Sequence, residues 1–411
     1  MTIKRLLKNK IFLTFLILGM IEPRCVGELA EYQGGIWSIL HRCHVGLAYI
    51  GLFAIIVCIV LTVRKISAYS IAVILFQVCC VFADLRNSLP YMGDLIRAVQ
   101  TIGLVLLLEL FCRNGIQRTF LEVVSFWLGS YIVINVITIL LFPGGMYVDD
   151  RGWTQNYFFG YKNSHIYIYL PYLACSALRD TLKYGRLKLR FFIFVGVITI
   201  ASFVVQSSTS AIVTLFVAVL IVFAHNSTLP KWLNAATAMI ASAVLSIAII
   251  GFHFQTRFSN LIQVLFKKDA TFSNRIAIWA TSILDILRHP ILGNGNDNVS
   301  IALYWKVSQC HNKYLDVLFV GGAVLMAIFI WLLYLVCYRL IKDNGKVTAN
   351  IMTFLMFGYA ILFLMESRRP DVLIFLVYAL AFHVKYFNVT LAPKKSKQIF
   401  KIRKVKFVLR K

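Results

Sequence analysis

Hydrophobic positions in this chain run together rather than alternate. Val45–Val63, Thr119–Phe142 with its single Glu122, Ser207–Ala224 and Val317–Tyr338 are apolar almost throughout. They reach or approach the roughly 20 residues that a helix needs to cross a bilayer. Continuous runs argue against a transmembrane barrel, whose strands alternate in polarity. The pattern predicts an all-α, polytopic integral membrane protein of about twelve helices. These fall near 11–22, 43–63, 66–83, 95–112, 119–142, 163–178, 190–206, 208–224, 233–254, 312–338, 348–365 and 371–388. All of 1–411 then forms one membrane domain, with a large outer-face loop over 255–311 and a basic tail over 389–411.

The loop region is the longest part of the chain that does not read as a span. Ser273 is a suitable N-cap, and Ile276, Trp279, Ile283 and Ile286–Leu287 recur at helical spacing, which predicts a short amphipathic helix. Arg288 and His289 suit its last turn, Pro290 stops it, and Gly293-Asn294-Gly295-Asn296 must turn. His311-Asn312 stands immediately before the next apolar run.

Composition agrees with this reading. The 411 residues are 60% hydrophobic and 14% charged, with a mean hydropathy of +0.78, whereas a soluble chain carries about a quarter charged residues. The net charge of +25 points to a membrane surface rather than nucleic acid, because the basic residues cluster in the short connections of one side. Lys4, Arg5, Lys8 and Lys10 precede the first apolar run, and Glu22-Pro23-Arg24-Cys25 offers no small-residue cleavage site, so a retained first helix is expected. With the N-terminus inside, Arg64-Lys65, Arg113, Arg118, Arg179–Arg190, Lys231, Arg339–Lys346 and the tail also fall inside. Both termini are then cytoplasmic, and Glu28, Glu31, Asp84, Asp94, Asp149 and Asp150 face outward. The tail either binds anionic headgroups or merely sets topology. Cysteine spacing suggests no metal site, and most of the nine cysteines behave as small hydrophobes in or beside spans.

The outer loops carry isolated arginines that do not serve topology, which makes anion binding their natural role. The loop from Pro143 to Asn163 mixes aromatics with polar groups, as either a carbohydrate-facing surface or an interfacial aromatic belt does. The sequence holds no phosphate-binding Gly-rich motif, no Asp-x-Asp pair and no serine-hydrolase elbow. What remains is a base and arginines at the outer face. His311 is the base candidate, with Asp316 one turn on to orient its ring; capping its helix is the alternative role. Arg275 either binds an anion at a helix N-terminus or snorkels.

Arg275-x-x-x-Trp279, His289-Pro290-x-x-Gly293-Asn294-Gly295, His311-Asn312-x-Tyr314-Leu315 and Gly321-Gly322 together resemble the O-antigen polymerase/ligase family. Gly160-x-Lys162-Asn163 and Ser207-Ser208-Thr209-Ser210 resemble its capsule and exopolysaccharide polymerases. The resemblance covers roughly residues 155–370. It implies a GT-C type, inverting glycosyltransferase on the outer face of the cytoplasmic membrane, working without metal or cofactor. Its partners would be undecaprenyl-pyrophosphate-linked oligosaccharides as donor and acceptor, membrane lipids, a chain-length regulator and a flippase. By resemblance His311 deprotonates the acceptor and Arg275 binds the donor pyrophosphate. Thr209 stands about where relatives often carry an arginine, so Lys162, Arg151, Arg86 or Arg368 must supply a second cation. Asn163, Ser208, Asn312 and Glu366 complete the candidate substrate-binding set. A repeat-unit polymerase is the first reading; an O-antigen ligase, or a flippase for lipid-linked glycan, is the alternative.

Overall fold

The computed structural model describes residues 3–149, 152–225, 232–252, 275–296, 309–367 and 372–388. The basic tail, most of the 255–311 loop, Ser273, Arg151 and Arg368 lie outside the described residues.

Each apolar stretch of the sequence is a helix. A short α1 (Ile3–Leu7) leads into α2 (Lys10–Met20), whose N-cap Asn9 accepts hydrogen bonds from the Ile11 and Phe12 amides at 2.9 and 3.3 Å. Such a cap stabilises a helix by about 1 kcal/mol. Amphipathic α3 (Arg24–Tyr32) precedes α4 (Gly35–Thr62), α5 (Ala68–Arg86), α6 (Met92–Arg113) and α7 (Gln117–Leu141). A two-stranded hairpin follows, β1 (Asn156–Tyr157) paired with β2 (Gly160–Tyr161), then a 3-10 turn over Lys162–Ser164. Next come α8 (Ile166–Tyr184), α9 (Leu189–Val204), α10 (Ser208–Ala224) and α11 (Ala235–Phe252). The series closes with α12 (Arg275–Arg288), α13 (Lys313–Lys342), α14 (Val347–Met365) and α15 (Val372–Phe382).

Among the described residues, seven helices are long and apolar enough to cross a membrane: α4, α5, α6, α7, α11, α13 and α14. Four others, α2, α9, α10 and α15, are apolar but shorter. The protein is thus an all-α polytopic membrane protein, and the expected count of about twelve crossings stands on length for seven helices only. Helices α6 and α14 are buried at the centre, whereas α4 and α11 expose apolar side chains such as Phe53, Val60, Ile240 and Ile247. An apolar exterior of this kind suits lipid rather than water. Helix α2 approaches α4 so closely that a Cβ on Gly19 would sit 2.7 Å from the Leu47 carbonyl carbon, the small-residue contact typical of membrane helices.

Polar clusters lie at the two ends of the bundle. Gln117 at the start of α7 donates to the Tyr386 carbonyl, and Thr348 at the start of α14 donates to Asn388. Helices α7 and α14 thus start on one face and finish on the other, where Tyr157 of the hairpin before α8 donates to the Pro143 carbonyl. Thr181 near the end of α8 meets His225 just after α10, which puts the starts of α8 and α10 together. The ends that begin α8 and α10 and finish α14 therefore share one face. The opposite face gathers Glu109 with Arg113 and Ser67, Asp180 with Arg190, and Lys10 with Glu122. The intramembrane-looking Glu109 and Glu122 are thus paired at helix ends. Cys25 and Cys43 are both free thiols, the first buried and the second exposed.

Candidate functional site

The Gly-Asn-Gly turn and the Gly-Gly pair are two halves of one joint. Helix α13 is broken at Gly321 and Gly322, whose backbone angles are non-helical. A break in a membrane helix leaves main-chain groups that need partners. The segment after α12 supplies them. Asn294 and Gly295 donate to the Phe319 and Val320 carbonyls at 2.8 and 2.9 Å; Ala323 and Val324 donate to those of Pro290 and Ile291 at 2.8 and 3.2 Å. Gly293 (φ 69°) and Gly322 (φ 59°) are in left-handed backbone, and a Cβ on either would lie 2.4 Å from main chain across the joint. Asp84 of α5 clamps the far end, accepting from the Asn296 amide at 2.5 Å and from its side chain at 3.1 Å.

This joint holds α12 against the start of α13. Ile278, Trp279, Ser282 and Asp285 form the buried face of α12. Trp279 donates from Nε1 to the Cys310 carbonyl at 3.0 Å. On the other side of His311, Asn312 caps α13 by accepting from the Tyr314 and Leu315 amides at 3.1 and 3.2 Å. Its Nδ2 donates to Ser246 Oγ at 2.9 Å and to the Leu364 carbonyl at 3.4 Å. His311 is pinned between these anchors with φ 52°, a conformation that costs a non-glycine residue about 1–3 kcal/mol and persists only where the surroundings impose it.

The strained backbone turns the imidazole toward Glu366, the residue after α14. Its Nδ1 lies 3.5 Å from Glu366 Oε2, within ion-pair reach and long for a hydrogen bond. Arg275, in the first turn of α12, donates from Nη2 to Glu366 Oε1 at 2.9 Å. The side chains of Arg275, His311 and Glu366 are 15%, 15% and 8% exposed. Burial pushes the Glu366 carboxyl up, but the facing His311 nitrogen and the Arg275 charge outweigh it and hold the pKa below its ordinary value. A carboxylate facing Nδ1 favours the tautomer protonated there, which leaves Nε2 as the proton acceptor. Asp316, expected to orient the ring, instead accepts from the Cys310 amide at 3.3 Å. One helical turn of sequence separation does not bring Asp316 to the ring, because the left-handed residue redirects it.

The other candidates lie elsewhere. Lys162 and Asn163 form the half-exposed 3-10 turn before α8. Ser208 and Thr209 open α10, where buried Ser207 donates to buried Ser210 at 2.8 Å. Arg86 is exposed in the last turn of α5. None of these residues takes part in the contacts that join Arg275, His311 and Glu366. Glu366 is more central than its sequence context suggested. The clamp at Asp84 was legible only as a polar residue at the end of a span.

An apolar groove of about 670 Å³ runs between α11 and α13. Met239, Ala243, Ile247, Leu318 and Leu333 line it, and Ser246 and Asn312 bring it to the residue beside His311.

Residues 193–330 match the family model described as O-antigen ligase. The match runs from α9 through most of α13 and includes Arg275, the docked loop and His311; Glu366 lies beyond it. The chain therefore carries an O-antigen ligase-type segment inside a polytopic membrane protein, as the motif block implied. No curated protein matches the chain.

Proposed function

We propose that the chain is a repeat-unit polymerase for an O-antigen, capsular or exopolysaccharide glycan. It joins glycan from an undecaprenyl pyrophosphate carrier to the end of another lipid-linked glycan, at the extracytoplasmic face of the cytoplasmic membrane. The observation that carries the reading is the Arg275–Glu366–His311 constellation, with an apolar groove whose lining reaches Asn312, the residue next to His311. The groove suits a polyprenyl chain, and the constellation sets a base and a cation where a sugar–phosphate bond would lie.

The acceptor hydroxyl gives its proton to His311 Nε2 as its oxygen bonds to the anomeric carbon. The bond from that carbon to the phosphate oxygen breaks, and the pyrophosphate leaves with the electron pair. Attack opposite the leaving group inverts the anomeric centre. Glu366 holds the ring and also Arg275, the cation that meets the developing charge on the leaving group. A positioned base contributes about 10²–10⁴ in rate. The second cation remains one of Lys162, Arg151, Arg86 and Arg368, with Asn163, Ser208, Thr209 and Asn312 as further polar contacts. A flippase reading is less well supported, because Glu109 and Glu122 are paired at helix ends rather than strung along a route.

The test is a vesicle assay supplied only with lipid-linked repeat units. A polymerase makes a glycan ladder, and His311→Ala leaves single units while membrane insertion is retained. No ladder from repeat units alone, with transfer appearing only when a different acceptor is added, identifies a ligase. Normal polymer from His311→Ala overturns the assignment of the base.

A further inference from the structure

Between α7 and α8 the chain builds a small folded cap at the face that carries Glu366. Asp149 exchanges hydrogen bonds with Trp153: its amide donates to the Trp153 carbonyl at 3.1 Å, and its side chain accepts from the Trp153 amide at 2.9 Å. Buried Asn156 donates to the Trp153 and Tyr147 carbonyls at 2.6 and 3.3 Å. The β1–β2 hairpin closes the unit, and α3 supports it from below through Cys25, Val26 and Leu29 packed on Tyr147. Tyr147 also donates to Glu28. Two aromatics of this loop, Tyr157 and Phe159, are buried in the protein, so neither forms part of an interfacial belt.

What this cap presents is an aromatic pair. The Trp153 and Tyr161 rings lie 4.6 Å apart, tilted by 39°, and both are half-exposed. Half-exposed Gln155, Lys162 and Asn163 lie beside them in the sequence, and the Lys162 amide donates to the Gln155 carbonyl at 3.2 Å, so hydrogen-bonding groups flank the hairpin that carries the pair. The bonds that shape the turn at Trp153 run through its main-chain amide and carbonyl. A sugar ring has one face of C–H groups, made electropositive by the ring and hydroxyl oxygens, and hydroxyls around its edge. An aromatic face, negative at its centre, complements the first, and amides and an ammonium at the rim complement the second.

We propose that Trp153 and Tyr161 form a saccharide-binding platform for the glycan part of the lipid-linked substrate, separate from the Arg275–Glu366–His311 site and on its face of the bundle. The inference rests on the transferase reading above for its ligand class. The platform holds a sugar some residues away from the reacting end, so it tunes chain length rather than bond formation.

The experiment uses the full chain in nanodiscs, with the polysaccharide purified from cells that carry the protein as probe. Wild type, His311→Ala, Trp153→Ala/Tyr161→Ala and Trp153→Phe are titrated, and glycan ladders are run in parallel. Wild type and His311→Ala should bind equally. The double variant should bind about tenfold more weakly and give shorter chains while still forming the first dimer of repeats. Trp153→Phe should stay within about twofold of wild type. Unchanged binding by the double variant, or undetectable binding by wild type, overturns the platform. Quenching of Trp153 fluorescence by brominated lipid, measured against Trp153→Phe, also overturns it, because the pair would then be a membrane anchor. Normal polymer from His311→Ala with intact binding overturns the catalytic reading and leaves the platform standing.

Discussion

Arg275 and Glu366 are 91 residues apart in sequence and 2.9 Å apart in space. This contact ties α12 to the end of α14 and, through the second carboxylate oxygen, aims His311. Residues that act as one unit lose activity together rather than in separate increments. Glu366→Ala and His311→Ala should therefore each lower kcat by about 100-fold or more, and the double variant should be little worse than either. Arg275→Ala should also raise KM for the lipid-linked donor. Steady-state rates on lipid-linked repeat units decide this, and additive losses would show that the two residues do not share a function.

The state of Glu366 gives a pH test. Its folded pKa is held below the ordinary 4.5, so its contribution to stability is complete above about pH 4.5 and is lost as pH falls through the lower folded value. Wild type should be more stable than Glu366→Gln at neutral pH by a constant margin. That margin should close below about pH 4.5. Melting curves of both proteins in detergent, taken between pH 3 and pH 8 or so, measure it. A margin that widened on acidification would mean that the carboxyl is protonated in the folded protein.

The glycine joint is tested by single methyl groups. Gly322→Ala forces left-handed backbone on an alanine and drives its Cβ to 2.4 Å from the Ile291 carbonyl carbon. The conformation alone costs about 1–2 kcal/mol, and the clash adds to it. Gly144→Ala is the control, since a Cβ there meets nothing within 4 Å. The first should lower the melting temperature and the activity, and the second should change neither.

Asp84 should prove structural. Asp84→Ala strands the buried Asn296 amide, at a cost of about 1–3 kcal/mol. Asp84→Asn keeps an acceptor for that amide and should retain most of the stability. Activity should follow stability in both variants, read as residual polymer formation after graded heating. A variant that is stable and inactive would place Asp84 in the chemistry instead.

How much of this was legible in the sequence depends on whether a feature was local. Long apolar runs need no partner to be read, and each is a helix. Arg275 and His311 stood out because a cation and a base flank a segment too polar to cross lipid. Glu366 looked minor because its importance comes from a contact with residues remote in sequence. Asp316 looked better than it is, because helical spacing does not foresee a left-handed residue at His311. Gly321-Gly322 was visible as a motif, but its role as the socket for Gly293-Asn294-Gly295 needed both strands of the joint in view.

The groove between α11 and α13 makes a prediction that separates lipid binding from chemistry. Ala243 lines its wall about one helical turn before Ser246 and takes no part in the contacts that join Arg275, His311 and Glu366. Ala243→Trp adds a bulky side chain to a space of about 670 Å³ and replaces none of the polar residues. If a polyprenyl chain lies there, KM for the long-chain donor should rise about tenfold or more, because several buried methylenes, each contributing about 0.8 kcal/mol, lose their place. A donor analogue with a short, soluble alkyl chain does not fill the groove and should be processed at the wild-type rate. Equal losses with both donors would mean that the substitution has disturbed the Asn312 cap through Ser246, and an unchanged KM with both would place the carrier lipid elsewhere on the bundle.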